Sequence, residues 1–210
     1  MPPSFPSTPL LDDFNRADGA LGANWNSLVY SGGVMPKIAS NGATLNGVGF
    51  CATSWATLYG RDQESYCDLV TLPASWGVTC YLRGGTEAVP SVYEINIANN
   101  STLVGQVDKA GTETNPVAGG SVATAWAAGD GFGARAMAGL VSVFRRTAGV
   151  WNQAPVLIVP TATNSLGGFI GFAVADGGTF TCKIDNFGGG TIPPDLDWSK
   201  FPKFTNRRDF

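Results

Sequence analysis

Two short phrases that match each other from opposite ends of the chain constrain its fold more than anything between them: Leu11-Asp12-Asp13-Phe14 and Ile184-Asp185-Asn186-Phe187. Each alternates apolar with polar residues and is flanked by turn residues, the pattern of a strand with one face on a core. Lying side by side, the two would close a single β body over residues 10–190. Residues 1–9 and 191–210 would then be arms outside it.

The stretch between the phrases reads as β throughout. Strands are predicted at 25–30, 36–39, 43–45, 50–56, 64–72, 77–83, 91–98, 102–109, 131–137, 140–146, 153–159, 169–175 and 180–187. Asn41-Gly42 between two of them is a strong hairpin signal. Turn residues recur about every 8–12 positions, which suits a sandwich and not a β-α-β protein. Residues 118–128 have the best helical propensity, but two Gly, a Thr and a Val favour a loop or a single turn. With 28 Gly, 13 Pro and 14% charged residues in 210, the composition agrees with an all-β, turn-rich body.

Composition also narrows the chemistry. A net charge of −3 and a pI near 4.8 argue against a nucleic-acid partner, since phosphate binding needs a basic face. No apolar run approaches the roughly 20 residues of a membrane-spanning helix, and Met1-Pro2-Pro3-Ser4-Phe5-Pro6 is not a secretory signal, so a soluble, cytosolic chain is expected. Histidine is absent, which removes Ser-His-Asp and Cys-His catalysis and imidazole-bound metals together. Cys51, Cys67, Cys80 and Cys182 fit no zinc or redox spacing. Cys67 and Cys80 are expected opposite each other on a hairpin turning at 73–76. A disulfide there is open, though directly paired strand cysteines are more often two reduced thiols.

The run Leu11-Asp12-Asp13-Phe14-Asn15-Arg16-Ala17-Asp18-Gly19-Ala20-Leu21-Gly22-Ala23-Asn24-Trp25 resembles the first strand and loop of concanavalin A-like lectin and glucanase domains, the laminin-G-like jelly rolls. Ala128 to Phe144 is similar to that family's hairpin after a Gly-Asp turn, Gly167 to Val174 to its penultimate strand, and Lys183 to Gly189 to its closing strand. The resemblance implies a two-sheet antiparallel jelly-roll sandwich over 10–190. The opening phrase is similar, in particular, to domains of bacteriophage tail and other virion proteins. That implies a virion component assembled in the host cytoplasm, with a tail or tail-tip role favoured over capsid decoration.

Glucanases of this fold carry their acid and nucleophile in a Glu-x-Asp-x-x-Glu strand pattern, because hydrolysis needs two carboxylates about 5 Å apart. The nearest match here, Glu94-Ile95-Asn96-Ile97-Ala98-Asn99, has Asn96 in place of the Asp and lacks the second Glu. Glu94 without a partner argues against an enzyme. Glycan binding without catalysis asks for exposed aromatics, for which Trp76 at a turn tip and Trp151 after a turn are the candidates; Trp25 and Trp55 are expected in the core. Asp12, Asp13 and Asp185 would gather on the closing strands. Solvated edge groups are the simpler reading than a calcium site, and no metal or cofactor is expected. Gly129-Asp130-Gly131-Phe132-Gly133 lacks the third glycine of a dinucleotide loop and reads as a turn.

Residues 191–210 combine Trp198, Phe201, Phe204 and Phe210 with Arg207 and Arg208, and Pro193, Pro194 and Pro202 keep them from forming one helix. Aromatics on an extended segment are costly in water unless they dock. Two docking sites are open, the body's own surface and a neighbouring subunit; the segment is read as an assembly arm onto the neighbour, with homo-oligomerisation and other virion proteins as expected partners. The leading expectation is a non-enzymatic virion structural protein. The alternative is a module that binds host cell-surface glycan.

Overall fold

The structure, a computed structural model, describes residues 3–28, 34–47, 49–73, 77–86, 91–98, 100–108, 112–160, 167–177 and 181–194. Among them there is no helix: strands, numbered in chain order, build two antiparallel sheets packed face to face as a jelly roll. The first sheet runs β15 (Val150–Trp151), β14 (Leu140–Thr147), β13 (Gly131–Met137), β7 (Gln63–Thr71), β18 (Lys183–Thr191), β5 (Ala43–Thr44), β4 (Lys37–Ile38) and β2 (Gly19–Ala20). Two further strands join it, β1 (Leu10–Asp12) beside β18 and β16 (Leu157–Pro160) beside β14. The second runs β11 (Glu113–Thr114), β10 (Ser101–Val107), β9 (Val92–Ala98), β8 (Val78–Gly84), β17 (Phe169–Ala175), β6 (Phe50–Trp55) and β3 (Trp25–Ser27), with β12 (Ser121–Ala123) beside β10.

The matching phrases do pair. Leu10 lies opposite Gly188 and Asp12 opposite Phe187, which seats Phe14 and Phe187, both fully buried, between the sheets. There they meet Trp25 and Phe172 at ring-centroid distances of 5.0–5.9 Å, an aromatic knot at one end of the core. Alternation does the rest: β7 and β13 send in Cys67, Leu69, Phe132 and Ala134, and β8 and β9 answer with Cys80, Leu82, Ile95 and Ile97. β18 also runs close against β7. A Cβ added at Gly189, where φ is +153°, would stand 2.4 Å from the Glu64 carbonyl oxygen, so only glycine fits.

The opening loop is held by one carboxylate. Asp12 Oδ1 accepts from the Phe14 N–H at 2.8 Å and from the Arg16 guanidinium at 2.6 Å, while Oδ2 accepts from Arg16 at 3.0 Å and the Trp25 indole N–H at 2.8 Å. Burial raises the Asp12 pKa, but hydrogen bonds from Arg16, Trp25 and Phe14 outweigh it and hold the group below its ordinary value.

Several expectations are corrected. β7 and β8 lie in different sheets, so no hairpin joins them; the Cys67 and Cys80 thiols meet in the core instead, and all four cysteines are free and buried. Residues 118–128 hold β12 and turns. The strands expected from 153 and 180 begin at Leu157 and Lys183, and the latter continues through three glycines to Thr191. Short β2, β11, β12 and β15 were not expected, because two or three residues carry no readable period. Within residues 1–9, the described part does not project. Residues 3–9 lie along the outer face of the first sheet, with Phe5 only 2% exposed.

Candidate functional site

The outer face of the second sheet carries a cleft of about 580 Å³. Strand register builds it: Tyr81, Glu94 and Gly105 lie opposite one another across β8, β9 and β10, and Thr79, Asn96 and Leu103 form the next row. The residues between them, Cys80, Ile95 and Val104, point into the core, so alternation turns these rows outward. Gly105 leaves a gap in its row, over which the Asn115 side chain lies; a Cβ there would be 3.1 Å from it. β11, paired to β10 with Glu113 opposite Val107, brings Glu113 to the same wall.

The Thr79 hydroxyl donates to Asn96 Oδ1, and the Asn115 amide donates to Glu113 Oε1 at 3.3 Å. Tyr81 and half-buried Phe50 belong to an apolar cluster on this outer face with Ala52, Val92 and Phe169. Among the described residues, no Lys or Arg lines the cleft. Burial, with the negative charge of Glu113 added, pushes the Glu94 carboxyl up to about 7. At neutral pH and below, the cleft therefore offers a carboxyl that can donate as well as hydroxyl and amide groups, beside a partly apolar floor. That is the mixture a neutral polyol requires.

Glu94 was expected to stand alone on a strand face, and the structure corrects this by supplying Glu113. Thr79, Tyr81 and Asn96 could have been grouped with Glu94 from alternation in 77–83 and 91–98. Glu113 and Asn115 had no signal, because β11 is two residues long.

The other sequence candidates fall elsewhere. Trp151 is half-buried on the first sheet, its ring against Phe5 at 4.9 Å and under the Arg146 guanidinium at 5.8 Å. Trp76, Trp198, Phe201, Phe204, Arg207, Arg208 and Phe210 lie outside the described residues. Trp25 is in the core, and Trp55 packs against it. The oxygens of Asp12 are taken up by Arg16, Trp25 and Phe14, and among the described residues no group of three His, Cys, Asp or Glu could hold a metal ion. Asp185 is raised by burial and then by the charges of Asp68, Asp13 and Asp12.

No family model matches the chain, and no curated protein matches it by sequence. Solved structures do. The calcium-bound exoplasmic/lumenal domain of VIP36 superposes with a TM-score of 0.54 at 10% identity, covering 91% of this chain and 93% of that one. A legume lectin-like domain from Entamoeba histolytica gives 0.53 at 8% identity, covering 84% and 97%. The carbohydrate binding module CBM66 from Bacillus subtilis gives 0.50 at 9% identity, covering 82% and 96%. A xylan β-1,4-xylosidase from Bacillus halodurans gives 0.57 at 15% identity over 90% of this chain but only 41% of the enzyme. The fold is therefore the concanavalin A-like, legume lectin-like jelly roll.

Proposed function

We propose that the protein is a carbohydrate-binding module whose ligand lies in the cleft of the second sheet. The observation that carries this reading is the cleft itself, with Glu94, Asn96, Thr79, Asn115 and Glu113 beside Tyr81 and Phe50. Sugar hydroxyls exchange hydrogen bonds with the amides, the Thr79 hydroxyl and the carboxyls, and the C–H face of a ring covers the apolar floor. Support comes from the fold it shares with a carbohydrate binding module and with a VIP36 domain that is also known in a mannose-bound form.

The module binds without cleaving. Asn96 stands where the glucanase pattern has its central carboxylate, and Glu113 Oε1 is engaged by Asn115. A glycan array followed by calorimetry tests the reading: a hit is expected, and Asn96→Ala is expected to weaken it by about tenfold, one broken polar anchor. A hit that survives both Asn96→Ala and Glu94→Gln would place the ligand elsewhere, and release of shortened products would overturn the non-enzymatic part.

A bacteriophage setting, in which such a module would hold host-surface glycan, is proposed alongside. Its support is the resemblance of residues 11–25 alone; none of the neighbours named above is a virion protein.

A further inference from the structure

The outer face of the first sheet is a groove that reads an extended peptide residue by residue, and residues 3–9 fill it. The Arg135 guanidinium donates to the carbonyls of Pro3 at 2.7 Å and Ser4 at 3.1 Å. Phe5 stacks on Phe144 with centroids 4.2 Å apart, meets Trp151 edge-on and sits over Gly133, where a Cβ would come 2.6 Å from its ring. The Gln153 amide binds both main-chain groups of Phe5, accepting its N–H at 2.8 Å and donating to its carbonyl at 2.9 Å. Glu64 Oε1 then accepts from the N–H groups and hydroxyls of both Ser7 and Thr8, the Tyr66 hydroxyl donates to the Thr8 carbonyl, and the Gly189 N–H donates to that of Pro9.

We propose that this segment is a transferable strap: the groove accepts the same residues from a second copy of the chain, so that exchanged straps fasten copies to one another. Three observations favour a second copy as the occupant. Each of these hydrogen bonds joins the segment to residues far along the chain and none joins it to itself, so another copy's segment reproduces the set unchanged. The segment joins the body at the surface, where Leu10, the first residue of β1, is 50% exposed just beyond Pro9. Finally, the groove cannot stand empty without cost. Glu64 and Arg135 lie beneath the strap as a buried ion pair at 2.8 Å, beside the Phe144 and Trp151 rings, and departure of the strap would exchange its hydrogen bonds for water and uncover those rings.

A replacement strap restores that burial, and another copy carries the matching sequence. Pro3, Pro6 and Pro9 have no N–H to give, so the segment cannot instead add a regular strand to a sheet edge. Because internal and exchanged contacts are the same, concentration sets the balance between them. This inference is independent of the glycan reading.

Two forms of the full chain bearing different C-terminal tags, incubated together at high concentration and captured through one tag, test it. Co-capture of the other tag is expected, and it should fall about tenfold or more on adding an excess of the synthetic peptide Pro-Pro-Ser-Phe-Pro-Ser-Thr-Pro-Leu. The same peptide with Ala in place of Phe should compete far less. Absence of co-capture overturns the proposal, and so does co-capture that the Phe-containing peptide leaves unchanged. Full-chain Phe5→Ala in both tagged forms should abolish capture; if that variant does not fold, the peptide competition, which needs no variant, decides.

Discussion

Glu94 makes the stability of the protein depend on pH in a direction opposite to that of most carboxylates. Its ordinary value is 4.5, and in the folded chain burial and the Glu113 charge push it up to about 7. Between those two values the unfolded chain has released the proton while the folded chain still holds it. Stability must therefore fall as pH rises through this window and level off above it. At about 1.4 kcal/mol per pH unit over roughly 2.5 units, the loss is at most about 3.5 kcal/mol, and partial solvent access brings the expectation to about 2–3. Glu94→Gln removes the titration. Urea denaturation followed by tryptophan fluorescence at pH 4.5 and at pH 8 should show the wild type losing about 2–3 kcal/mol relative to Glu94→Gln. Glu113→Gln should shrink that gap, because it removes the second cause of the shift. Wild type and Glu94→Gln profiles that run parallel would refute the placement of Glu94 as a desolvated carboxyl facing Glu113.

Asp12→Ala should cost about 2–4 kcal/mol in urea denaturation, since it strands the Trp25 indole N–H and the Arg16 guanidinium. The Asp12 contribution in the wild type is present above pH 4 and is lost as pH falls through its lowered folded value, so the acid limb of Asp12→Ala should be the shallower. Phe5→Ala should cost about 3–5 kcal/mol. Gly133→Ala, whose Cβ would meet the Phe5 ring at 2.6 Å and the Tyr66 Cβ at 2.7 Å, should cost less once Phe5 is gone but keep the part due to Tyr66, and a double-mutant cycle measures the coupling to Phe5. All four cysteines should resist iodoacetamide in the native state and react on unfolding: each is buried, desolvation raises Cys51 and pushes Cys182 up to about 12, and Cys80 with burial drives Cys67 well above its usual value. Mass spectrometry counts the adducts.

Where residues alternate over six or more positions, the fold could be read directly: 50–56, 131–137, 140–146 and 169–175 became strands within a residue or two of their expected ends. Cys67 and Cys80 show where such reading stops. Two adjacent strands joined by a short connection look alike in sequence whether they pair in one sheet or cross to the other; here they cross. Phe5 shows a second limit. A proline-rich terminus reads as an arm, and the glycine that makes room for Phe5, Gly133, sits more than a hundred residues downstream, in a run whose spacing looks like a turn. The cleft was half legible for the same reason: its β8 and β9 rows follow from alternation, while Glu113 arrives on a strand too short to announce itself.

The position of β18 also bears on how the protein comes to be folded. β2, β4 and β5 reach the rest of the first sheet through β18, which pairs with β5 through Lys183 and Ile184 and with β7 along its other edge. On the ribosome, β2, β4 and β5 can pair with one another, but the free edge of β5 must wait until Lys183 and Ile184 have been made. Completion of the sheet is then a late, long-range event, slow compared with local hairpin closure. Until then those early strands are open edges for chaperones to shield or for neighbouring chains to capture.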